Sequence, residues 1–153
     1  MRHRHPLLGL IMIGIFVVLV AHAGEPATPD EAKALAEKAA SHMRDVGPDK
    51  AIADFNRADG GFVDRELFVV VYGPDNKILS SYGIPVLMGK DATKLKDVEG
   101  KPFGQEIIDL AKAKGSGWVD YRMTNAATRK VAEKTSWVIR VGDYIVFVGA
   151  YKS

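Results

Sequence analysis

Two segments of the chain, Leu67–Tyr72 and Tyr144–Tyr151, are apolar at nearly every position. A strand of an antiparallel sheet that has one face in water alternates apolar and polar residues instead. We therefore predict that both segments are central strands of a sheet that is covered on both faces. This requirement constrains the fold, because a chain of 153 residues has room for one domain and must supply both coverings itself.

One covering is predicted to be a long helix near the N-terminus. A T-x-x-E capping box at Thr28–Glu31 begins it, apolar residues follow at helical spacing, and Gly47-Pro48 ends the pattern. The apolar stripe is mostly alanine, so this helix can approach a sheet closely. A second, shorter helix is expected from about Asp49 to Arg57.

The other covering is predicted to be a lid that combines irregular chain with a helix. Residues 83–102 hold apolar side chains and turn residues without a clear period, and a helix is expected from about Pro102 to Lys114. Irregular chain rarely packs flush on a sheet, so a small-molecule pocket is expected beneath this lid. With further strands at Ile78–Tyr82, Gly117–Met123 and Val131–Val141, the fold class is α+β with an antiparallel sheet of about five strands.

The first 23 residues have the layout of a secretory signal peptide. A basic start precedes the apolar run Leu7–Val20, and Ala21-His22-Ala23 is an A-x-A cleavage site. The run is short for a membrane span, which needs about 20 residues. An uncleaved anchor is the alternative, and it would be the protein's attachment to the membrane. We expect cleavage near Ala23, which leaves residues 24–153 as a single periplasmic or secreted domain.

The composition excludes several classes of site. The absence of cysteine rules out disulfides, thiolate metal sites and a cysteine nucleophile. Loss of Arg2 and Arg4 with the signal peptide leaves 19 basic residues against 19 acidic ones, and a neutral domain is a poor binder of nucleic acid. After cleavage, His42 would be the only histidine that remains. The sequence contains no phosphate-binding motif and no nucleophile motif. We predict no catalytic residue, metal or cofactor.

Five short sequence segments occur in a characteristic order along the chain. They are Phe62–Tyr72, Gly89–Asp91 with Leu95–Phe103, Gly115–Tyr121, Lys134–Val138 and Gly149–Tyr151. In this order they resemble a single Cache domain, the extracytoplasmic sensor fold related to PAS domains, over roughly residues 30–152. Two positions depart from the family pattern: Met123 stands where many relatives carry an aromatic residue, and Ala126 where a proline is usual.

The resemblance implies a sensor of small molecules, often short carboxylates. Such domains usually belong to chemotaxis receptors and sensor kinases, which pass the binding event through a following transmembrane helix. Since the sequence ends at Ser153, directly after the last strand, we expect a free-standing module. Its signal would pass to a partner, either a membrane receptor or a sensor kinase. The ligand is expected to be a short organic acid.

Two neighbouring strands carry the polar residues of the predicted binding site. Lys134 shares a strand face with Ser136, and an ammonium beside a hydroxyl can hold a carboxylate by a charge-assisted hydrogen bond. A solvent-facing lysine that is paired with an acid is the alternative. Tyr121 could donate to a ligand oxygen, with Met123 shaping the pocket; the alternative is a core tyrosine whose hydroxyl lies at the rim.

Aromatic residues around the first hairpin complete the predicted site. Phe68 and Tyr82 are included as pocket walls, and Tyr72 shares the face of Phe68. All three are core residues first and pocket walls second. Arg122 points away from Tyr121 and is expected in solvent. The sequence does not determine which face of the sheet holds the pocket.

The predicted function is reversible, non-covalent binding of a small metabolite in signal transduction. The first alternative is an interaction module of the same fold without a small-molecule ligand, which the departures at Met123 and Ala126 motivate. The second alternative is an enzyme. The lack of any histidine, cysteine or metal constellation argues against it.

Overall fold

The computed structural model of the protein describes residues 24–153. The predicted signal peptide, residues 1–23, lies outside the described residues. Within them no helix is long and apolar enough to cross a membrane. The helices are α1 (Pro29–Val46), α2 (Pro48–Phe55) and α3 (Phe103–Lys114). The strands are β1 (Val63–Asp64), β2 (Leu67–Phe68), β3 (Val70–Tyr72), β4 (Ile78–Ser81), β5 (Ser116–Thr124), β6 (Val131–Val141) and β7 (Tyr144–Tyr151).

The main sheet has five antiparallel strands in the order β4-β3-β7-β6-β5. The apolar strands β3 and β7 are therefore internal and pair directly, with Val71 opposite Val146. This confirms the predicted central position of the apolar segments. The segment Leu67–Tyr72 is not one unbroken strand, however, because β2 pairs with β1 in a separate two-stranded ribbon. The chain enters the main sheet only at Val70.

The rear face of the sheet is closed by α1, as predicted. Thr28 caps the helix: its hydroxyl accepts from the backbone N–H of Glu31, and the Glu31 side chain accepts from the backbone N–H of Thr28. The helix buries alanines against β6 and β7, and small side chains let the backbones come close. The described rear core also contains Met43, Phe55, Phe62, Leu67, Val69, Val71, Val146 and Val148.

The front face is closed by the lid and α3. Two short 3-10 turns, Pro85–Leu87 and Ala92–Lys94, precede α3. A Cβ atom at Gly104 would lie 2.0 Å from the Ala92 carbonyl oxygen, so only glycine allows α3 to dock this closely on the second turn. The helix then packs on β5 through a second core that includes Ile107, Ile108, Ala111, Val119 and Val138.

The helix boundaries differ slightly from those expected. The second helix begins at Pro48 rather than Asp49, because proline suits the first turn, and it ends at Phe55 rather than Arg57. The third begins after Pro102, which is its N-cap residue. The predicted α+β class, the rear helix and the front lid are all confirmed, and the sheet is buried on both sides.

Candidate functional site

A cavity of about 40 Å³ lies between the front face of the sheet and the lid. The sequence left the face of the pocket open, and this cavity lies on the front face. Its walls are mainly apolar and come from β3, β7, the lid and the start of α3. The lining residues are Phe68, Val70, Tyr72, Ile78, Ser81, Ile84, Leu87, Leu95, Phe103, Tyr121, Met123, Lys134, Phe147 and Gly149.

Lys134 and Tyr121 form the polar end of this cavity. They are direct cross-strand partners in the β5–β6 pairing, so both side chains leave the sheet on the front face. The Tyr121 hydroxyl lies 2.8 Å from Oγ of Ser136, which is fully buried. Burial raises the pKa of Tyr121 to about 12, so the phenol is neutral and able to donate a hydrogen bond.

Gly149 makes room for these three polar side chains. It lies opposite Ser136 in the β6–β7 pairing. A Cβ atom at that position would be 2.7 Å from Oγ of Ser136, 2.8 Å from Cε of Lys134 and 3.1 Å from the Tyr121 hydroxyl. The groups therefore converge on a space that any larger residue would fill. Sequence reasoning did not identify Gly149, because its role depends on a register that only the paired strands reveal.

Lys134 carries a buried positive charge. The residue is 9% exposed, and burial lowers the pKa of its ammonium from 10.5 to about 8. The charge of Glu66 opposes this shift only in part, and a Glu66 carboxylate oxygen accepts a hydrogen bond from the backbone N–H of Ala27. Among the residues that the structure describes, no carboxylate forms an ion pair with Lys134.

Aromatic rings partly compensate the Lys134 charge. The ammonium lies 5.0 Å from the ring centre of Tyr151 and 5.7 Å from that of Phe68. Such contacts attract a cation weakly and leave its hydrogen-bonding capacity unused. The solvent-facing, acid-paired lysine considered as the alternative therefore does not describe Lys134 in this fold. An anion that enters the cavity would meet the ammonium of Lys134 and the hydroxyl of Tyr121. Ser136 is not among the residues that line the cavity, and it is connected to it only through its hydrogen bond with Tyr121.

The remaining predicted residues fall into two groups. Phe68 and Met123 line the cavity, and the ring of Phe68 occupies the space where a Gly83 side chain would stand, 2.3 Å from an ideal Cβ atom. Tyr82 does not line the cavity and is 39% exposed. Its neighbour Ser81 faces the cavity instead, and adjacent residues of an extended chain point to opposite sides.

Three aromatic residues that the predicted site did not include also belong to the cavity wall: Tyr72, Phe103 and Phe147. Phe103 stacks on Tyr121 with ring centres 4.4 Å apart. Tyr72, treated from sequence mainly as a core residue, lines the cavity, and its buried hydroxyl has no hydrogen-bond partner in the described part of the chain. The sequence did indicate Tyr72, because Phe68 and Tyr72 were predicted to lie on the same face of the strand.

A separate charged cleft lies on the outer side of β5. Arg122 points into it and pairs with Glu99, with 3.1 Å between the Arg122 nitrogen and the Glu99 oxygen. The carboxylate of Asp97 accepts from the backbone N–H groups of Glu99, Lys101 and Arg122, so it holds the lid loop against β5. No cluster of three or more potential metal ligands occurs within residues 24–153.

Comparison with known protein families matches residues 32–153 to the family described as Cache domain. Among solved structures, a Cache chemosensory domain described for carboxylic acid recognition superposes with a TM-score of 0.65 at 19% identity, over 81% of this chain and 92% of that chain. A methyl-accepting chemotaxis protein from Vibrio parahaemolyticus RIMD 2210633 gives 0.65 at 19% identity, over 80% and 86%. A periplasmic sensor domain of a chemotaxis protein gives 0.59 at 23% identity, over 81% and 90%. These structural similarities show that the chain has the same fold as these three domains.

A curated enzyme also matches part of the sequence. It is 6-phosphogluconate dehydrogenase, decarboxylating 1, from Saccharomyces cerevisiae (strain ATCC 204508 / S288c), with 36% identity over 64 residues. The match covers 42% of this chain and 13% of the enzyme. The chain thus spans a small part of that relative's length, and the match assigns no activity to it.

Proposed function

The chain belongs to the Cache domain family, and from this premise we propose that it is a periplasmic sensor module that binds a short organic acid. The observation that carries the proposal is the buried ammonium of Lys134, which has no paired acid in the described structure and lies beside the Tyr121–Ser136 hydroxyl pair. Lys134, Tyr121 and Ser136 would bind the carboxylate, and Phe68 and Met123 would contact the apolar part of the acid.

The electrostatics favour a carboxylate ligand. A buried charge without a partner is costly, and an opposite charge with hydrogen bonds offsets that cost. A ligand carboxylate would supply the missing negative charge to Lys134, while the Tyr121 hydroxyl donates to one of its oxygens. Hydrogen bonds between charged groups are roughly twice as strong as neutral ones. The polar end of the cavity would therefore fix the orientation of the acid.

The size of the cavity favours a short acid. Its 40 Å³ correspond to about three water-sized spheres, so a chain of two to four carbon atoms is the appropriate scale without rearrangement of the lid. The apolar wall around this volume suits a methyl or ethyl group. A long-chain or aromatic acid would require displacement of Leu87, Leu95 or Phe103.

A role in signalling follows from the family. Cache domains are extracytoplasmic sensor domains, and two of the structural neighbours are chemotaxis proteins. We propose that residues 1–23 are a signal peptide cleaved near Ala23 and that the domain of residues 24–153 acts in the periplasm. The bound state would be recognised by a membrane receptor or a sensor kinase, which would read a change in the lid.

A binding screen tests the proposal. Thermal unfolding of the purified protein would be followed with acetate, propionate and butyrate, with propionamide as a neutral control of matched shape. A binding acid at one hundred times its dissociation constant stabilises the protein by about 2.7 kcal/mol. We expect stabilisation by at least one acid and none by propionamide. Equal effects of propionate and propionamide would contradict recognition through Lys134.

A second candidate function is an interaction module of this fold without a small-molecule ligand. Met123 favours it, since this departure from the family pattern lies in the wall of the cavity. The same screen separates the two candidates: no stabilisation by any of the acids, at concentrations up to tens of millimolar, would favour the interaction module.

A further inference from the structure

The outer side of the lid exposes three large apolar side chains. Tyr82, Val86 and Met88 are 39%, 70% and 41% exposed, and they lie within seven residues of one another. Ile84 and Leu87 of the same segment lie on its inner side and line the cavity. The segment therefore has one apolar side that packs in the protein and another that lies in water. We call Tyr82, Val86 and Met88 the lid patch.

Hydrogen bonds of the backbone fix the position of the lid patch. The N–H of Met88 donates to the carbonyl oxygen of Pro85 at 3.1 Å. The N–H of Gly89 donates to the carbonyl oxygen of Ile78, on β4, at 2.8 Å. These bonds tie the turn to the edge of the sheet, so the fold itself holds the three side chains in water. Clusters of exposed apolar residues of this kind mark interaction sites.

Positive charge borders the lid patch. Residues 76–96 contain four lysines and one acid, Asp91. All four lysines are exposed, and none forms an ion pair within residues 24–153. Lys77 and Lys90 are the nearest to the patch, because Lys90 accepts a backbone hydrogen bond from Ile78. The carboxylate of Asp91 accepts two hydrogen bonds from Thr93. The surroundings of the patch therefore favour a negatively charged partner.

A lipid surface fits the lid patch better than a protein partner does. The three side chains expose on the order of a few hundred Å², whereas each partner in a stable protein interface buries about 800 Å². Shallow insertion into the head-group region of a membrane needs less area, and aromatic residues and lysines at the interface strengthen it. Lysines near an anionic lipid surface add electrostatic attraction. The size and the charge of the lid patch both correspond to an anionic membrane.

The lid patch lies at the end of the domain where the described chain begins. A carboxylate oxygen of Glu66 accepts a hydrogen bond from the backbone N–H of Ala27 at 2.6 Å. Two residues further along, the ring of Phe68 packs directly against Gly83 of the lid segment. In the precursor, the apolar segment Leu7–Val20 comes shortly before Ala27, and as part of the proposed signal peptide it enters the membrane during export. The lid patch is therefore at the end of the domain that is nearest to the membrane at that stage.

We propose that the lid patch binds the surface of an anionic membrane. Tyr82, Val86 and Met88 enter the head-group region, while Lys77 and Lys90 contact the lipid phosphates. This contact goes beyond the proposed function and does not depend on the binding of an acid. It keeps the processed domain at the membrane, where a receptor or sensor kinase would lie.

Flotation with lipid vesicles tests the proposal on residues 24–153, which contain both cores of the fold. Vesicles of phosphatidylglycerol mixed with phosphatidylcholine are compared with vesicles of phosphatidylcholine alone. We expect at least tenfold tighter binding to the anionic vesicles, and loss of this preference when the salt concentration rises from about 0.1 M to about 1 M. Val86→Asp should weaken binding to the anionic vesicles at least tenfold. Lys90→Gln should weaken it about fivefold.

Val98→Asp is the matched control. Val98 is 48% exposed in the same lid, but Asp97 and Glu99 flank it, so it should not contact an anionic surface. Its variant should bind vesicles within about twofold of the unchanged protein, and both valine variants should keep the unfolding midpoint because both positions are exposed. Equal affinities of Val86→Asp and Val98→Asp, equal binding to the two kinds of vesicle, or no vesicle binding by the unchanged protein would each overturn the proposal.

A fluorescent label locates the surface that contacts the lipid. The chain has no cysteine, so Val86→Cys and Val98→Cys can each carry a single environment-sensitive dye. On addition of anionic vesicles, the emission of the dye on Val86→Cys should shift to shorter wavelength, and that of the dye on Val98→Cys should not. Vesicle binding without a shift at position 86 would mean that another surface contacts the lipid, and it would also overturn the proposal.

Discussion

Replacement of Lys134 by methionine is expected to make the ligand-free protein more stable at neutral pH. Methionine has a similar length and no charge, so it can pack near the same rings of Phe68 and Tyr151. Most lysines in folded proteins are exposed, and their replacement changes stability little. Lys134 differs because its ammonium is buried and has no paired acid among the described residues.

The magnitude follows from the pKa of the ammonium. A decrease from 10.5 to about 8 in the folded state corresponds to about 3 kcal/mol of destabilisation by the charged form. Loss of the two cation–π contacts offsets about 1 kcal/mol of the gain. The net expectation for Lys134→Met at pH 7 is therefore a stabilisation of about 2 kcal/mol.

The sign of the pH dependence is determined by the same pKa. Below pH 8 the folded and unfolded states of the unchanged protein both hold the proton on Lys134, and the folded state carries the full cost of the buried charge. Between pH 8 and pH 10.5 the folded state releases the proton first, so the unfolded state binds more protons and stability rises with pH. The advantage of Lys134→Met should therefore shrink by about 2 kcal/mol between pH 7 and pH 9.5.

Urea unfolding at pH 7 and pH 9.5, on protein dialysed free of small acids, measures this difference. Lys96→Met is the matched control, because Lys96 is an exposed lysine of the lid loop. The control should lie within about 0.5 kcal/mol of the unchanged protein at both pH values. A destabilised Lys134→Met protein at pH 7, or an advantage that does not depend on pH, would refute the assignment of Lys134 as a buried, uncompensated cation.

Three further predictions concern the same site. Propionate affinity, measured by calorimetry, should be constant from pH 6 to pH 7 and weaken above about pH 8 as Lys134 loses its proton; constant affinity up to pH 9.5 would contradict this. Tyr121→Phe removes the hydroxyl that lies 2.8 Å from Ser136, and it should lower stability by about 1 kcal/mol and acid affinity about fivefold, as unfolding and calorimetry would show. Gly149→Ala introduces a Cβ atom 2.7 Å from Ser136 and should lower stability by about 1–3 kcal/mol and abolish acid binding; normal binding would show that the three polar groups do not converge as described.

The parts of the fold that the sequence predicts are those with local causes. The Thr28–Glu31 capping box begins α1, and the lack of alternation in Tyr144–Tyr151 places that strand inside a doubly covered sheet. Each of these features depends on residues that are adjacent or a few positions apart. The pairing of Lys134 with Tyr121 depends on the register of β5 and β6, and the alternation of side chains in each strand predicts only that both can share a face.

The position of Tyr82 could not be predicted from the alternation of side chains along the strand. The β3–β4 pairing contains an irregularity between Val71 and Tyr72. A shift of one residue in a strand exchanges the faces of all side chains beyond it. The sequence around the hairpin gives no sign of this irregularity, so it did not show that Ser81 faces the cavity while Tyr82 does not.

The difference between the two faces explains why the polar groups lie in front. The rear is closed by a regular helix whose alanines meet the sheet closely, and a buried ammonium there would have no space for a ligand to compensate it. The front is closed by 3-10 turns and a helix held in place by the close approach of Gly104 to Ala92, a geometry that leaves a cavity above Gly149. Lys134 lies on this front face and lines its cavity. The proposed carboxylate site therefore lies on the face that has room for a small molecule.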